Sequence, residues 1–475
     1  MEIDLGLLRD ETYSTDARYV WEYSRGKLKT CLDEGLSLHG EFGTTPTPIR
    51  QLSQFALVCF IGRFLYSIIF MNWLWAPKKR DWLIFPRSSH RKILGERGEM
   101  YDDIHTGELI DEIGIDKCVI IETPFQRRHY TPRRYKVFHS DFLFLLNKII
   151  EKVLPFCIIY DLTAINNMIQ DIKEYIEKRI GQKEIDIEKV FNIKPLFARY
   201  IAYLFMLKWL KPKRVLFIFS EMYIPIVRAA RILHIPTVEL QHGTLAPEHL
   251  VYSVPDGMTK KYFADYYLLF GKYWKETMDN LPLPPDRSII LGYPYFEKIF
   301  VKNSNLINRK NQIVVISQGT IGKELTKFSA KLAVLIQGKY KIYYKFHPDE
   351  WGRNRTVYPE LYEAKEKGLL DVLDTDTPPL YTLLSQSRWQ IGVYSTALFE
   401  GIAFGCQPIL VDLPGIEYMA PLLKTGKIQL VKTPEEIQFS ETENLMDLRE
   451  ELFASDWRYN WRKFEQMDLR CRFQN

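Results

Sequence analysis

The stretch RVLFIFSEMYIPIVRAARILHIPTVELQHG (residues 214–243) indicates the fold class. It begins with RVLFIFS (214–220) and closes with TVELQ (237–241), which are short apolar runs rich in β-branched and aromatic residues. Such runs are typical of buried strands, and the segment between them predicts a helix. A strand, a helix and a second strand in this order indicate a parallel sheet whose faces are covered by helices.

The same alternation extends over most of the chain. Before residue 301, the other predicted strands are 81–86, 118–123, 156–162, 265–271 and 287–294. The polar segment VKNSNLINRKNQ (301–312) predicts a linker. After it, strands are predicted at 313–319, 341–348, 369–374, 388–395, 408–414 and 427–431.

These patterns predict an α/β protein with two Rossmann-like, doubly wound domains that face a cleft, and with a helical N-terminal extension. The predicted units are a helical region 1–80, a first Rossmann-like domain 81–300, a linker 301–312, a second Rossmann-like domain 313–435 and C-terminal helices 436–475.

Composition excludes several classes of protein. With 46% hydrophobic and 26% charged residues, the chain is not globally disordered. A net charge of +5 with scattered basic residues argues against a nucleic-acid-binding protein, and it allows anionic substrates or an anionic membrane surface. The 6 cysteines have no short spacing, so we predict neither a disulfide framework nor a zinc site. The N-terminal sequence lacks a secretory signal, which predicts a cytoplasmic protein.

The apolar segment FALVCFIGRFLYSIIFMNWLWAP (55–77) allows three interpretations. It could be a helix buried against the protein, a helix at a membrane interface, or a membrane span. Arg63 lies inside it, which is costly at the centre of a bilayer. The tryptophans near its end and the basic residues Lys78, Lys79 and Arg80 suit an interface.

In open α/β sheets, ligands bind beyond the carboxyl ends of the strands, so residues just after the apolar runs are site candidates. In the first half, Gln241, His242 and Gly243 end one run. The glycine permits close approach of a ligand to the backbone, and the histidine could be a general base or donate a hydrogen bond to a phosphate. Glu221, after RVLFIFS, is an alternative base, or it merely stabilises the start of the next helix.

In the second half, His347 and Pro348 follow the run KIYYKF. Lys345 is predicted to share a strand face with His347, because side chains alternate along a strand. Together they would offer two donors to one phosphate group. The alternative interpretation is a solvated strand end followed by a charged loop.

The segment VYSTALFEGIAF (393–404) predicts a helix whose N-cap is Ser395 or Thr396, so that its first amides could bind an anion. Glu400 could bind sugar or ribose hydroxyls, or it could simply be solvated. The loop SQGT is predicted to line the cleft through Ser317, Gly319 and Thr320. No G-x-G-x-x-G or Walker A motif occurs, which excludes dinucleotide and P-loop sites of those types.

Taken in order, QHG, HP and YST resemble motifs of GT-B glycosyltransferases of bacterial surface-polysaccharide synthesis. The similar groups are the capsule-type sialyl- and Kdo-transferases and the CDP-glycerol glycerophosphotransferases, and the resemblance covers roughly residues 210–420. In the sialyltransferase group, the HP histidine and the Ser/Thr pair contact the phosphate of the cytidine nucleotide. This role carries over to His347, Pro348, Ser395 and Thr396.

In the glycerophosphotransferases, an HG motif supplies the proposed base, which matches His242. Two departures from the families stand out. The acidic D/E-D/E-G motif of the sialyltransferases occurs only at Asp33–Gly35, before the first predicted strand, so the base is open between Glu221 and His242. Val393 stands where the glycerophosphotransferases usually have an aspartate.

The resemblance implies an enzyme that moves a sugar from a CMP- or other nucleotide-activated donor to a saccharide or glycolipid acceptor in capsule or lipopolysaccharide synthesis. The first domain would hold the acceptor and the second the nucleotide sugar. Neither a metal nor a cofactor beyond this co-substrate is expected, and residues 55–80 could contact the inner face of the plasma membrane. The alternatives are a CDP-alditol phosphotransferase, a UDP-sugar 2-epimerase and a non-catalytic sugar-binding protein on the same fold.

Overall fold

Two parallel sheets form the frame of the protein. The computed structural model describes residues 14–33, 54–87, 91–95, 98–125, 128–157, 160–180, 190–191, 193–247, 249, 251–254, 259–278, 280–304, 307, 309–440 and 445–472. Within this part of the chain, the two sheets confirm the predicted fold class of two Rossmann-like domains.

The first sheet has seven strands in the order β5-β4-β1-β6-β7-β8-β9, and all of its pairings are parallel. Its strands are β1 (Trp82–Phe85), β4 (Cys118–Glu122), β5 (Phe138–His139), β6 (Arg214–Ile218), β7 (Thr237–Leu240), β8 (Tyr266–Leu269) and β9 (Ser288–Ile290). An antiparallel hairpin, β2 (Arg91–Gly95) with β3 (Gly98–Asp102), stands apart from it.

The second sheet has six parallel strands in the order β12-β11-β10-β13-β14-β15. They are β10 (Lys310–Ile316), β11 (Lys341–Lys345), β12 (Asp371–Leu373), β13 (Ser387–Gly392), β14 (Gln407–Val411) and β15 (Gln429–Val431). Strand order reverses beside β10, and at such a point the loops after neighbouring strands open a crevice for a ligand.

Helices cover both sheets. Their bounds are Thr15–Asp33, Gln54–Phe70, Gly107–Ile113, Asp141–Cys157, Leu162–Ile180, Ile193–Leu210, Ser220–Ile232, Lys272–Glu276, Pro294–Ser304, Gly322–Ile336, Pro359–Glu366, Leu380–Gln386, Thr396–Phe404, Ala420–Leu423, Arg449–Leu452 and Trp457–Glu465. Short 3₁₀ turns occur at Trp73–Trp75, Ile115–Lys117, Pro285–Arg287, Pro348–Glu350, Ile416–Met419, Pro434–Glu436 and Leu445–Leu448.

Two local predictions differ from the structure. The run FCIIYDL (156–162) differs at the residues that the structure describes: residues 156–157 end the helix Asp141–Cys157, and residue 162 begins the helix Leu162–Ile180. Residues 158–159 of this predicted strand lie outside the described residues. The polar segment 301–312 is only partly a connection, since the helix Pro294–Ser304 extends into it and β10 begins at Lys310. In both cases the composition of a short segment gave the wrong structure, because neighbouring helices or strands continue into that segment.

The helix Trp457–Glu465 follows the second domain in sequence but packs on the first sheet. Its Trp461 ring lies 5.3 Å from the ring of Trp82 on β1, and Phe464 contacts Tyr266 on β8 at 5.7 Å. Phe453, just before this helix, packs against Phe296 with ring centroids 4.3 Å apart. The chain therefore crosses between the domains twice, and the returning segment completes the core of the first domain.

Gly271, at the end of β8, is where the returning segment approaches most closely. A Cβ atom at this position would lie 2.2 Å from the carbonyl oxygen of Glu451, and a backbone atom cannot move aside as a side chain can. We expect Gly271→Ala to lower the free energy of unfolding by about 1–3 kcal/mol, as overpacking does in a filled core. Gly62→Ala is the matched control, since a Cβ there meets no atom within 4 Å. Denaturant unfolding measures both, and equal stabilities would contradict the close approach.

Candidate active site at the carboxyl ends of the strands

The QHG turn after β7 is fixed by Gln241. Its side-chain amide donates to the carbonyl of Gly243 at 2.9 Å, and its side-chain oxygen accepts from the backbone of Phe270 at 2.8 Å. The side chain is buried. Gln241 thus ties the turn to the end of β8, and it holds His242 and Gly243 in place beside the cleft.

One ring nitrogen of His242, Nδ1, is buried without a hydrogen-bond partner among the described residues, and the same is true of the hydroxyl of Thr244. Burial lowers the pKa of His242 to about 3, and the positive charges of Arg87 and His249 act in the same direction. The imidazole is therefore neutral at pH 7. Buried polar atoms are normally paired, so two unpaired atoms in one turn indicate a binding surface.

The two domains meet at this turn. A Cβ built on Gly243 would lie 3.5 Å from the Oγ1 atom of Thr396, which belongs to the second domain. The rings of His249 and Tyr418 face each other across the same boundary at 6.4 Å. The QHG and YST segments, which are about 150 residues apart in sequence, therefore lie together on opposite walls of the cleft.

Ser395 is the N-cap of the helix Thr396–Phe404. It is one of the two N-cap positions that the sequence predicted. Its backbone is extended, and its hydroxyl accepts from the amide of Ala397 at 3.3 Å. The hydroxyl of Thr320 pairs with that of Tyr394 at 2.8 Å, which ties the SQGT loop to the YST segment. The start of the helix thus faces the cleft with Thr396 beside it, and a helix start favours negative charge.

The side chains of Lys345 and His347 do not point to one place. Lys345 is buried, and its ammonium donates to the carbonyls of Thr375 and Pro378, the latter at 3.2 Å. His347 is exposed. The strand ends at Lys345, so the alternation that predicted a shared face does not reach His347. Lys345 instead fixes the loop after β12.

Glu350 positions the backbone of the HP segment. Its buried carboxylate accepts from the amide of His347 at 3.1 Å and from the hydroxyl of Tyr358 at 2.8 Å. Pro348 begins the 3₁₀ turn Pro348–Glu350 that brings the carboxylate back. This arrangement presents the imidazole of His347 at the surface beside the ends of β10 and β11.

The remaining predicted positions differ in their surroundings. Ser317 is buried, and its hydroxyl is 2.9 Å from that of Tyr344. Gly319 lies against the guanidinium of Arg353, whose Nη2 would be 3.3 Å from an added Cβ. Glu400 is buried in the helix rather than solvated. Glu221 lies at the start of the helix Ser220–Ile232, but its side chain is outside the described part of the chain.

Arg87 and Glu239 were missed by the sequence reasoning. Arg87 is the second residue after β1, and its charge acts on His242, so the rule that selects residues at strand ends would have found it. Glu239 is fully buried within β7. It accepts from Tyr252 at 2.7 Å, from the amide of Ser220 at 2.9 Å and from the Ser220 hydroxyl. Nothing in the pattern TVELQ distinguishes this carboxylate from one that faces solvent.

Burial raises the pKa of the Glu239 carboxyl from 4.5 to about 7, against the opposing effect of its hydrogen bonds. Between these pH values the folded state holds a proton that the unfolded state has released. The contribution of this carboxyl to stability is therefore full below pH 4.5 and is lost as the pH rises through about 7.

Glu239→Gln isolates this titration. We expect the free energy of unfolding of the wild-type protein, minus that of the variant, to fall by about 3 kcal/mol from about pH 4.5 to about pH 7.5. Denaturant unfolding at several pH values measures this difference. If the difference is independent of pH, the carboxyl is not buried as the structure shows.

A group of residues that could bind a metal ion lies away from the QHG turn. Among the described residues, His129, His139 and Asp141 are the group that brings three ligand atoms together, within 4.8 Å of one another. They lie at the β5 edge of the first sheet, four strands from β7 in the sheet order. The acidic pair Asp374 and Asp376 is not part of such a group in the described chain.

Comparison with known proteins finds similarity of fold alone. No protein-family model matches the chain, and no curated protein matches it at a significant level. Among solved structures, UDP-GlcNAc 2-epimerase from Neisseria meningitidis, bound to UDP-GlcNAc, has 14% identity and a TM-score of 0.42 over 77% of this chain and 88% of its own. Acinetobacter baumannii MurG has 10% identity and a TM-score of 0.45, over 82% of this chain and 100% of its own. The glycosyltransferase SnogD from Streptomyces nogalater has 11% identity and a TM-score of 0.42, over 82% of this chain and 95% of its own.

Proposed function

We propose that this protein is a glycosyltransferase that moves a sugar from a nucleotide-activated donor to a saccharide or glycolipid acceptor in surface-polysaccharide synthesis. The main support is the meeting of the QHG turn with the start of the helix Thr396–Phe404, at the Gly243–Thr396 contact. This contact puts a neutral histidine on one wall of a cleft and an anion-favouring helix start on the other. A donor phosphate and an acceptor hydroxyl would meet between them.

The second domain would hold the donor. The helix start at Ser395 and Thr396 would bind the phosphate of the nucleotide, and His347 would donate to it from the neighbouring loop. Lys345, which binds carbonyls of the loop after β12, would stiffen the wall instead of contacting the donor. These groups would stabilise the charge that develops on the leaving nucleotide.

The first domain would hold the acceptor. The acceptor hydroxyl would attack the anomeric carbon of the donor as the bond from that carbon to the phosphate oxygen breaks. The hydroxyl proton would pass to a ring nitrogen of His242, which is neutral at pH 7. Arg87, whose positive charge acts on the same histidine, would attract the anionic donor into the cleft.

We further propose that the protein contacts a membrane surface through three adjacent helices. On the helix Gln54–Phe70, exposed apolar side chains include Leu65 and Phe70, with 51% and 65% exposure. The same character continues on the helix Asp141–Cys157, which packs against Gln54–Phe70, and on the helix Ile193–Leu210, which packs against Asp141–Cys157. The exposed apolar residues of this membrane-facing patch are Ile61, Leu65, Ile69, Phe70, Trp75, Phe144, Leu145, Ile149, Val153, Phe205 and Trp209.

Basic residues border the membrane-facing patch. Lys78 stacks over the Trp209 ring at 3.4 Å, and the exposed Lys148 and Lys152 lie among the apolar positions of their helix. Tryptophan and lysine beside exposed aliphatic residues suit the headgroup region of an anionic bilayer. No helix in the described residues is long and apolar enough to cross a membrane. Arg63 is exposed, which an interfacial helix tolerates.

Titration with CMP, CDP and UDP, followed by turnover assays, tests the donor assignment. We expect binding of a cytidine nucleotide and sugar transfer that requires an acceptor. Turnover of CDP-glycerol or CDP-ribitol without any transfer of sugar would instead establish an alditol phosphotransferase. Interconversion of UDP-sugars without an acceptor would establish an epimerase, and ligand binding without turnover would establish a binding protein.

Ser395→Ala and His347→Ala are each expected to weaken nucleotide binding about 10-fold, the usual effect of losing one hydrogen bond to a charged group. Isothermal titration with the preferred nucleotide measures the dissociation constants. His234→Asn is the control, since His234 is an exposed histidine on the first domain. Unchanged nucleotide affinity in both variants would show that the phosphate does not bind to this wall of the cleft.

A further inference from the structure

A compact cluster at the β5 edge of the first sheet has no role in the proposed transfer. His129 comes from the loop between β4 and β5, His139 ends β5, and Asp141 begins the helix Asp141–Cys157. Glu122 is the last residue of β4, and Ser67 belongs to the helix Gln54–Phe70. Four separate chain segments thus converge on a few polar atoms.

Both ring nitrogens of His129 lie against carboxylates, and a bound ion would replace one of these two contacts. The Nε2 atom of His129 lies 2.8 Å from the Oδ2 atom of Asp141. On the other side of the same ring, Nδ1 is 3.0 Å from the carboxylate of Glu122. Metal-binding histidines almost always donate their second ring N–H to a carboxylate or a carbonyl, which fixes the ring orientation. Glu122 is placed to do this.

His139 completes a set of three ligands. Its ring is stacked on that of His129, with centroids 3.5 Å apart and planes 4° from parallel. Because imidazole lone pairs lie in the ring plane, one of the two rings must rotate for both to bind a single ion. Nδ1 of His139 is 2.9 Å from the hydroxyl of Ser67, which also donates to Oδ2 of Asp141 at 2.7 Å. The Ser67 hydroxyl thus orients two of the three ligands.

We propose that His129, His139 and Asp141 bind one divalent transition-metal ion, with Zn²⁺ as the best fit to two imidazoles and a carboxylate. The ligand atoms lie within 4.8 Å of one another. Tetrahedral bonds of about 2.0–2.2 Å place ligand atoms about 3.4 Å apart, so these atoms must approach one another by up to about 1.4 Å, within reach of side-chain rotation. Mg²⁺ prefers a shell of oxygen atoms and is excluded.

The ion has a structural role. The cluster is four strand spacings from β7, about 19 Å across the sheet, so the ion does not touch the reacting groups near His242. It joins the loop after β4 to the edge strand, and through Ser67 it anchors the helix that carries much of the membrane-facing patch. This site does not depend on the proposed transfer reaction.

Zinc binding to the full-length protein tests the proposal. After treatment with a chelator and desalting, the protein is titrated with Zn²⁺ in competition with a chromophoric chelator. We expect one ion per chain with submicromolar affinity, and a rise in the thermal midpoint of about 5 °C. Mg²⁺ is expected to produce neither effect. Failure of the intact, folded protein to bind one Zn²⁺ with this affinity would overturn the proposal.

Variants place the ion within the cluster. His129→Gln and Asp141→Asn each remove a ligand and are expected to weaken Zn²⁺ binding at least about 100-fold. Glu122→Gln keeps all three ligands and is expected to weaken binding about 10–100-fold. His234→Asn removes a histidine elsewhere and is expected to have no effect. If folded Glu122→Gln and Asp141→Asn proteins bind Zn²⁺ as the wild type does, the ion binds elsewhere and the proposal is wrong.

Discussion

Replacement of His242 by alanine is expected to lower kcat for sugar transfer by about 10²–10⁴-fold, the usual contribution of a positioned general base. Nucleotide affinity is expected to stay within about twofold, because the donor phosphate is assigned to the opposite wall of the cleft. Steady-state kinetics and a nucleotide titration on the same preparation separate the two quantities. His234→Asn is the matched control. An unchanged kcat would exclude His242 as the base and leave Glu221 as the candidate.

The pH dependence of kcat/KM supplies a second measurement on the same residue. Burial lowers the pKa of His242 to about 3, so the ring is neutral throughout the range in which the protein is assayed. The wild-type profile is therefore expected to lack an acid limb near the ordinary pKa of histidine. An acid limb near pH 6.5 that disappears in His242→Ala would show that the ring is solvated in the free enzyme.

The second large effect concerns the membrane-facing patch. Leu65→Glu combined with Phe70→Glu is expected to reduce binding to anionic vesicles by at least about 100-fold. Each side chain transferred from water contributes about 1.5–3 kcal/mol, and the loss of two such contributions corresponds to that factor or more. Sedimentation with vesicles of phosphatidylcholine and phosphatidylglycerol measures the partition coefficient. Vesicles of phosphatidylcholine alone are expected to bind the wild-type protein less strongly, because they lack the negative charge that attracts Lys78 and its neighbours.

Val334→Glu combined with Leu335→Glu is the matched control for that experiment. These residues are also apolar and 51% exposed, but they lie on the helix Gly322–Ile336 of the second domain. Equal losses for both double variants would show a general effect of added negative charge. If the wild-type protein does not bind vesicles and light scattering shows a dimer that Leu65→Glu/Phe70→Glu dissociates, the patch is an interface between copies.

The fold could be predicted from sequence because each buried parallel strand is a short apolar run, which is recognisable without knowledge of distant residues. RVLFIFS and TVELQ are β6 and β7, and the carboxyl ends of both strands are where the predicted candidates begin. The rule for strand ends then selected His242 and Ser395 without any knowledge of distance. Their proximity across the cleft depends on how the two domains pack, and no short-range pattern encodes that packing.

Predictions of side-chain direction were weaker. Lys345 and His347 are two residues apart, but β11 ends between them, so the alternation of a strand no longer applies. The cluster of His129, His139 and Asp141 was not predicted either, because its members come from a loop, a short edge strand and a helix start. The absence of a short cysteine spacing led to the prediction that there is no zinc site, and the site proposed at the β5 edge replaces that prediction.

The return of the chain to the first domain determines the order in which the two domains can be completed during synthesis. The second sheet is built from residues 310–431, all of which leave the ribosome before the helix Trp457–Glu465 does. Until that helix emerges, Trp82 lacks its Trp461 neighbour and part of one face of the first sheet stays open to solvent. The domain that is begun first is therefore finished last, and its uncovered face is the part of the nascent chain that a chaperone would have to shield.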